Sequence, residues 1–463
     1  MTEDVSSLSE IKRTLLQKYL SSQLFDKTGE QDRILPRSRG QAAPLSYSQQ
    51  QIWLHAQLGG EIPFYNETIT IYREGQLDVA VLKRCFVEII RRHEIWRTTF
   101  EAPADEPIQI IHPAPEEFPL PTLDLRSLPA DTRDAEAKRV AAEDAQRPFD
   151  LKNGPLLRGL LVHMGEQEHR LYLTLHQIIF DAVTAYRVLL PELSTLYEAF
   201  SSGRSSPLPE PRVQYADFAY WQRRKFQNTV GSEHMAYWER QLSGDLPVLH
   251  WPADRPRPSI ETHRGAIQRF TLPKDLVGDL RNLSQSEGTS LYMLLLAGFV
   301  ALLHRYTAQE DIVLASLTAG RKQTELESLL GYFVNPLALR VDVSGKPTFR
   351  ELLFRVRNVV LDALAHEEVP FSEILSRIHF KPDPSRNPIF QIIFSQQPRL
   401  ANVGPGWDLV TEEISNGGSK VDLVVVIDDR GEEISGPITY NPDLFHESTV
   451  SRMIGHWQTL LKA

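Results

Sequence analysis

The sequence predicts an α/β protein built of two lobes. Segments with the two-residue alternation of strands and segments with the helical spacing of apolar residues follow one another in both halves of the chain. Between the halves lies SSGRSSPLPEPR (201–212), which holds three prolines and few residues that form cores, and which we interpret as a surface connector. A length of 463 residues allows up to about three domains.

The chain begins with a predicted amphipathic helix. SLSEIKRTLLQKYLSSQLF repeats apolar residues at helical spacing, and Ser7 and Glu10 have the spacing of a capping box. Polar residues dominate from Asp26 to Ala43, which indicates an extended connector. We therefore divide the chain into a linker helix with its connector (1–43), an N-terminal lobe (44–212) and a C-terminal lobe (213–463).

In the first half, YNETITIYR alternates as a strand, and LDVAVLKRCFVEIIRRHEIW has helical spacing after a cap at Asp78. GPLLRGLLVHMGEQEHRLYLTLHQ predicts two strands around a tight turn at 165–167. The second of these strands runs directly into a helix over 182–200. Pro191 is expected to kink or split that helix.

The second half begins near Gly265 and repeats the same style. We predict strands at AIQRFTL, DIVLAS, FQIIFSQQ and VDLVVVID, and helices at KDLVGDLRNLSQ, SLYMLLLAGFVALLHRY and FRELLFRVRNVVLDALA. A closing helix is expected over 446–461.

Composition excludes several classes of function. With 50 basic and 60 acidic residues the net charge is −10, which disfavours a nucleic-acid or anionic-membrane surface. The single cysteine, Cys85, cannot form an internal disulfide or a thiolate cluster, and His93 and His366 lack partners at metal-ligand spacing. No apolar run has membrane-spanning length and the acidic N-terminus is unlike a signal peptide, so we expect a cytoplasmic protein.

Nucleotide-binding and serine-hydrolase motifs are missing from the sequence. It contains no GxGxxG, P-loop or GxSxG pattern. The chemistry is expected instead at HQIIFDA (His176–Ala182), where a strand ends and a helix begins with Asp181 close by. A strand end holds side chains rigidly, and the carboxylate can lock its neighbours through an ion pair with arginine. Taken alone this pattern is weak, because a lone buried histidine is more often a hydrogen-bonded core residue.

Six further segments accompany this motif. From about Pro44 to its end the chain resembles the condensation domains of nonribosomal peptide synthetases, including those of hybrid polyketide assembly lines. The segments that match the family's motifs in order are SYSQQQIW (46–53), RRHEIWRTTF (91–100), HQIIFDA (176–182), YADFAYW (215–221), GYFVNPLALR (331–340), HEEVPF (366–371) and DPSRNPIF (383–390). Seven ordered matches are highly specific, and the first helix is similar to the linker that often precedes such domains.

The resemblance implies two chloramphenicol-acetyltransferase-like lobes arranged in a V, with a tunnel between them. A donor acyl chain would enter on the phosphopantetheine arm of an upstream carrier protein. The acceptor amine would enter on the arm of a downstream carrier protein, next to adjoining synthetase domains, and attack the donor thioester to form an amide. The resemblance implies no metal and no cofactor of the domain's own.

Position 177 departs from the family pattern HHxxxDG. Gln177 replaces the second histidine, the residue that the family assigns to deprotonating or positioning the amine, and an amide side chain cannot act as a general base. The carbonyl oxygen of Gln177 can still orient an already neutral amine. We therefore expect impaired activity. Two origins fit equally: a naturally degenerate domain and an engineered substitution.

The catalytic motif positions are His176, Gln177 and Asp181. We interpret His176 and Asp181 as shaping the site, with Arg97 or Arg340 as the ion-pair partner of Asp181. The remaining motif residues are interpreted as structural. Trp221 and Tyr215 are expected in the core. Arg386 is expected to hold a loop, and Asn335 is expected either to satisfy backbone groups or to cap a turn before Pro336.

Two alternative functions stay open. One is a catalytically silent scaffold of the same fold that recruits carrier domains or a tailoring enzyme. The other is a free acyltransferase that uses coenzyme A, which the linker-like first helix and the lack of a basic cluster for a nucleotide phosphate disfavour.

Overall fold

A computed structural model describes residues 33–38, 42–58, 63–103, 106–227, 231–398, 403–410 and 414–463. The predicted first helix lies outside the described residues. Within them, strands and helices alternate through both halves of the chain, as the hydrophobic patterns predict.

The first half supplies seven of the described strands and three helices before the corner segment, which is the stretch 176–182. The strands are β1 (Ala43–Pro44), β2 (Asn66–Glu74), β3 (Thr98–Glu101), β4 (Ile108–Ile111), β5 (Thr122–Asp124), β6 (Leu157–His163) and β7 (Glu168–His176). The helices are α1 (Tyr47–Leu58), α2 (Val79–Arg92), α3 (Ala130–Ala145) and, after the corner, α4 (Leu190–Ser201). The cap predicted for α2 is confirmed, because Asp78 Oδ1 accepts hydrogen bonds from the backbone N–H groups of Ala80 (2.8 Å) and Val81 (3.1 Å).

The second half is built in the same way. Its helices are α5 (Tyr215–Gln227), α6 (Gly231–Gln241), α7 (Lys274–Ser286), α8 (Leu291–Thr307), α9 (Phe349–Ala365), α10 (Phe371–Arg377) and α11 (Glu447–Lys462). Its strands are β8 (Ala266–Leu272), β9 (Asp311–Thr318), β10 (Asn335–Asp342), β11 (Ile392–Gln396), β12 (Trp407–Val410), β13 (Leu423–Ile427) and β14 (Ile434–Tyr440). The described part of the chain has no single helix with both the length and the apolar composition of a membrane crossing; α7 and α8 meet these criteria only as a pair, which is bent by 105°.

Two large sheets organise the molecule. One has the strand order β10-β9-β11-β13-β14-β8, the other the order β12-β2-β7-β6-β5, and a small third sheet has the order β1-β4-β3. The strand β12 comes from the second half of the chain but pairs with β2 of the first, with Trp407 opposite Arg73. The second sheet is therefore completed by the C-terminal half.

Each large sheet has its own hydrophobic core. The core of the six-stranded sheet is formed with α7, α8, α9 and α11 and includes the fully buried Trp238 and Trp457. The core of the five-stranded sheet includes α2 and α4 together with Tyr215, Phe333 and Trp407. Packing therefore crosses the boundary that we predicted after residue 212, and that boundary stays a prediction.

The helix that follows the corner contains a change of hydrogen-bond register before Pro191. Residues Thr184–Leu189 form a π-helix, and the backbone N–H of Leu190 bonds to the carbonyl of Ala185. The wider turn inserts one extra residue just before the proline, which has no N–H to continue the regular pattern. The helix is not interrupted at Pro191, because residues 182–201 are helical throughout; only the hydrogen-bond register changes just before the proline.

Candidate active site

A cavity of about 1010 Å³ lies between the two large sheets. The first half lines it with the start of β2 and with residues between Gln177 and Arg187, and the second half lines it with β9, β11, β13 and β14. The predicted corner segment, which we define as residues 176–182, thus opens into a space that both halves of the chain enclose.

A bridging segment, residues 414–420, spans the two halves beside the cavity. Asn416 Nδ2 donates to the carbonyl of Asn66 at 2.6 Å, and Lys420 Nζ lies 2.8 Å from Glu67 Oε1. On the other side, the N–H of Gly265 donates to the carbonyl of Gly417 at 2.8 Å. The segment fixes the start of β2 against the six-stranded sheet, and so helps to set the width of the cavity.

His176 is the last residue of β7, where it pairs with Asn66 of β2. It is 6% exposed, with the rings of Tyr65 and Phe149 within 6.0 and 6.2 Å of its own. Burial, assisted by the positive charge of Lys420, lowers the pKa of His176 to about 3. Its Nδ1 accepts the N–H of Ile178 at 3.3 Å, which leaves the proton of the neutral ring on Nε2. The imidazole is therefore neutral at physiological pH.

Gln177 begins a short 3₁₀ turn that ends at Ile179. Its backbone N–H donates to the carbonyl of Tyr65 at 2.8 Å, which fixes the residue at the edge of the sheet. The side chain lines the cavity, and its Oε1 is buried with no hydrogen-bond donor among the described residues. A buried acceptor without a donor is costly, which favours a rotation of this side chain that brings the oxygen into the cavity, where the N–H group of a ligand can reach it.

Asp181 uses both of its oxygens within the protein. Oδ1 accepts the N–H of Thr184 at 2.8 Å, and Oδ2 accepts the N–H of Phe333 at 2.9 Å. The Arg321 Nη2 atom lies 3.2 Å from each oxygen, and the side chains of this ion pair are only 4% and 0% exposed. The carboxylate therefore links the corner segment to Arg321 and Phe333. Both of its oxygens are occupied by these bonds, so neither is free for a substrate.

The prediction that Arg97 or Arg340 forms the ion pair with Asp181 is wrong. Arg97 lies 3.9 Å from Glu94 and donates to the carbonyl of His112. Arg340 lies on β10, where Asp311 of the neighbouring strand β9 pairs with it at 2.7 Å. Both arginines thus interact with groups other than Asp181, and Arg321, which no motif singled out, supplies the charge.

Arg321 also fastens the segment 326–334 over the corner. Its Nη1 donates to the carbonyls of Leu326 and Leu329 at 2.5 and 2.8 Å. Thr184 Oγ1 donates to the carbonyl of Gly331 at 3.0 Å. Sequence reasoning missed both Arg321 and Thr184. The one available signal for Thr184 was its position three residues after the motif aspartate, where an N–H commonly meets such a carboxylate.

Tyr215 and Trp221 are buried in the core, with exposures of 1% and 7%. Tyr215 has an additional role, because its hydroxyl donates to the carbonyl of Tyr332 at 2.5 Å and lies 2.9 Å from Ser46 Oγ. This hydroxyl connects α5, the start of α1 and the segment 326–334. In the same region Gln49 Nε2 donates to the carbonyl of Ile178 at 3.1 Å, so the first motif directly supports the corner.

Asn335 and Arg386 form their hydrogen bonds and ion pairs with residues of the second half of the chain. Asn335 Nδ2 donates to the carbonyls of Glu367 and Val369 at 3.0 and 2.7 Å, and Oδ1 accepts the N–H of Phe371 at 2.9 Å. Of the two roles predicted for Asn335, the structure therefore shows the first, in which its side chain bonds to backbone groups. Arg386 pairs with Asp383 at 2.8 Å within its own loop, which agrees with the role expected for it.

Curated relatives of this chain are peptide synthetases. It is 40% identical to chondramide synthase cmdD of Chondromyces crocatus over 430 residues, which are 92% of this chain and 11% of that protein. It is 37% identical to phosphinothricin tripeptide synthetase PhsB of Streptomyces viridochromogenes, over 93% of this chain and 36% of that protein. A linear gramicidin synthase protein of Brevibacillus parabrevis matches at 41% identity, over 93% of this chain and 6% of its own length. The chain therefore spans only a small part of the relatives that it matches.

Solved structures share the mixed α/β, chloramphenicol-acetyltransferase-like architecture. The X-domain from teicoplanin biosynthesis superimposes with a TM-score of 0.82 at 26% identity, over 93% of this chain and 96% of that one. The first condensation domain of the calcium-dependent antibiotic synthetase gives a TM-score of 0.77 at 21% identity, over 91% and 97% of the two chains, and supports the fold alone. A family model described as Condensation domain matches residues 40–463. The chain thus belongs to the condensation domain family, whose members are the amide-forming acyltransferases of nonribosomal peptide synthetases.

Proposed function

We propose that this domain joins a carrier-bound acyl group to a carrier-bound amine. The observation that carries the proposal is the position of Gln177, which lines a cavity of about 1010 Å³ that both halves enclose and whose side-chain oxygen has no hydrogen-bond donor among the described residues. In the reaction, the amine nitrogen attacks the thioester carbonyl, the C–N bond forms and the C–S bond breaks. The sulfur leaves on the donor arm as a thiol and takes up, directly or through water, the proton that the nitrogen loses.

No residue at the first two motif positions is suited to remove that proton at neutral pH. Gln177 has no basic group, and the low pKa of His176, about 3, makes its imidazole a weak base. The domain then works by alignment. Gln177 Oε1 accepts an N–H of the neutral amine and directs its lone pair towards the thioester. Alignment of two held reactants can contribute roughly 7 to 11 kcal/mol, whereas the missing general base costs about 10²- to 10⁴-fold in rate.

The corner segment needs rigidity for this role. Asp181, Arg321 and Thr184 hold it by direct hydrogen bonds, so we assign these residues to positioning and not to contact with the substrate. We propose upstream donor and downstream acceptor carriers as partners, with the phosphopantetheine arms belonging to the carriers and no cofactor of the domain's own. Carriers of this kind imply a cytoplasmic location.

The test uses both carriers loaded with their thioesters, and mass spectrometry of the downstream carrier after mixing with the domain. Transfer of the acyl group to the downstream amine, dependent on the domain, is the expected result. A reaction with the downstream carrier left unloaded is the control, because a mass increase there would mean transfer to some other nucleophile. If neither the wild-type domain nor the Gln177→His variant forms the amide, the proposal is ruled out.

A second candidate function is a recruitment scaffold without turnover. It is favoured by the replacement at Gln177 and by similarity to the X-domain, which has been solved in a complex with OxyB; that structure matches this chain with a TM-score of 0.80 at 26% identity. A scaffold would bind a tailoring enzyme in a pull-down and would stay inactive after Gln177→His. Amide formation by the Gln177→His variant would instead support the first candidate function, in which the domain joins the two carrier-bound groups.

A further inference from the structure

The loop before β8, residues 258–265, carries a largely buried carboxylate. The side chain of Glu261 is 14% exposed, and its oxygens accept no hydrogen bond from the part of the chain that the structure describes. Burial, together with the charge of Asp422, raises the pKa of Glu261 to about 7. Arg257 opposes this shift only in part, because its guanidinium is bonded to Asp422. The charge of Glu261 is thus left without a bonded cation among the described residues.

Backbone hydrogen bonds hold this loop in place. The N–H of Glu261 donates to the carbonyl of Pro384 at 2.8 Å, and the carbonyl of His263 accepts the N–H of Ser419 at 2.8 Å. His263 has a φ of 52°, in the left-handed region that residues other than glycine seldom adopt. Such a conformation persists only where the surroundings fix it. The positions of Glu261 and His263 are therefore set before any ligand arrives.

A second acceptor lies beside Glu261. His263 Nδ1 is buried with no hydrogen-bond partner among the described residues, and it is 3.9 Å from Glu261 Oε1. Burial lowers the pKa of His263, so the ring is neutral at pH 7 and can present Nδ1 as an acceptor. The two atoms are too far apart to bond to each other. A small rotation of the imidazole, whose side chain is 30% exposed, lets one nitrogen donor bond to both.

Aromatic rings lead from this loop to the corner segment. The ring centroid of His263 lies 4.5 Å from that of Phe64, which lies 4.4 Å from that of Tyr65. The ring of Tyr65 is 6.0 Å from that of His176, and the carbonyl of Tyr65 accepts the N–H of Gln177. Phe64 and Gln177 both line the cavity. The loop thus stands at one end of a row of rings whose other end is the corner segment.

These groups together suit an ammonium ion. A carboxylate forms short, strong hydrogen bonds with a charged N–H donor, and ring faces attract a cation within about 6 Å. Tyr65 already faces such a group, since Lys420 Nζ lies 6.0 Å from its ring centroid. Lys420 is paired with Glu67, so it is not the counter-ion of Glu261. The unpaired negative charge of Glu261 favours a cationic ligand over an anionic or neutral one.

We propose that Glu261, assisted by His263, binds the ammonium group of the acceptor as it approaches the corner segment. The inference rests on the proposed function, which requires an amine at Gln177. As it leaves the carboxylate, the ammonium releases one proton to solvent, and the neutral amine moves on to attack the thioester. A hydroxyl or thiol of the same size brings no charge to Glu261. The site therefore selects amines over alcohols and thiols.

Two small probes test this site by binding alone. Glycinamide carries an ammonium group, and glycolamide has the same skeleton with a hydroxyl in its place. Each is titrated into the full chain and followed by ligand-observed NMR, with wild type and Glu261→Gln compared. This variant keeps the shape of the side chain and removes a charge that is costly to bury, so it is expected to fold. Glu433→Gln, an exposed carboxylate on the turn before β14, is the control.

We expect wild type to bind glycinamide about tenfold or more tightly than glycolamide, and Glu261→Gln to lose about tenfold in its affinity for glycinamide alone. The inference fails if wild type shows no saturable binding of glycinamide, or if glycolamide binds as tightly. It also fails if Glu261→Gln keeps the affinity of wild type, or if Glu433→Gln loses as much.

The amide-forming reaction separates this site from the proposed function. With a soluble acyl thioester as donor and glycinamide as acceptor, Glu261→Gln should raise the KM for glycinamide by about tenfold and change kcat little, whereas structural damage would lower kcat. If glycinamide binds through Glu261 and no amide forms from soluble or carrier-bound substrates, the activity is wrong and the site stands. If the amide forms and Glu261→Gln has the KM of wild type, the site is wrong and the activity stands.

Discussion

Residue 177 lines the cavity with an amide side chain, which can accept a hydrogen bond but cannot take a proton. A histidine there would supply a general base on the same backbone, whose N–H is already fixed to Tyr65. We expect Gln177→His to raise the rate of amide formation by about 10²- to 10⁴-fold, measured by rapid quench with both carriers loaded. Gln177→Leu is the control, since it keeps the size of the side chain but removes the acceptor, and it should be slower than wild type. Equal rates for all three proteins would contradict the proposed role.

His176 makes stability depend on pH. Its pKa falls from the ordinary value of 6.5 to about 3 on folding, because the charged ring is excluded from water. Between these two values the unfolded chain binds more protons than the folded one, so acidification favours unfolding. Wild type should lose stability below about pH 6.5, by up to about 1.4 kcal/mol per pH unit from this residue. His176→Asn keeps an acceptor for Ile178 but does not titrate, so denaturant unfolding from pH 7 to 5 should show a shallower loss. Parallel curves for the two proteins would mean that His176 is protonated normally.

Among the elements, the Asp181–Arg321 pair joins the corner segment to the loop after β9. Its side chains are 0% and 4% exposed, so Arg321→Leu leaves a buried carboxylate without its counter-charge. We expect a loss of about 3 to 5 kcal/mol in the free energy of unfolding. Lys274→Ala is the control, because its pair with Glu432 is 64% and 76% exposed and should contribute about 1 kcal/mol or less. Urea unfolding measures both variants, and a cost for Arg321→Leu no larger than that of the control would contradict the buried pairing.

At the scale of the whole molecule, the bridging segment holds the two sheets on either side of the cavity. A Cβ on Gly265 would lie 2.1 Å from the carbonyl oxygen of Gly418, so Gly265→Ala must push this segment away. We expect a loss of about 1 to 3 kcal/mol in stability, and slower amide formation because the cavity changes its shape. Gly278→Ala is the matched control. Gly278 lies within α7 with open space around its Cα, so this change should stabilise the protein by about 0.5 to 1 kcal/mol. Scanning calorimetry compares the stability of the two variants. If Gly265→Ala leaves the stability unchanged, the contact between residue 265 and the carbonyl of Gly418 is not tight.

Much of the fold could be predicted because it depends on local patterns. The alternation in β2, the capped helix α2 and the strands that flank residues 165–167 all appear where hydrophobic periodicity indicates them. The order of the seven motifs indicated the family. Within the site, His176, Gln177 and Asp181 were found because they lie in one continuous stretch at a strand end.

The partners of these residues could not be predicted in the same way. Arg321 is 140 residues from Asp181 and reaches it only because segment 326–334 folds back over the corner. The pairing of β12 with β2 likewise joins strands from opposite halves, and no local pattern specifies such a pair.

The sequence by itself determined the succession of elements, the family and the lack of a general base at Gln177, since each of these is written in the types and spacing of neighbouring residues. Only the tertiary structure decided which arginine neutralises Asp181, which strand completes the second sheet and where a cavity is left between the sheets. These depend on distances between segments far apart in the chain. Such distances are set by how the cores pack against one another, and packing has no counterpart in the spacing of residues along the sequence.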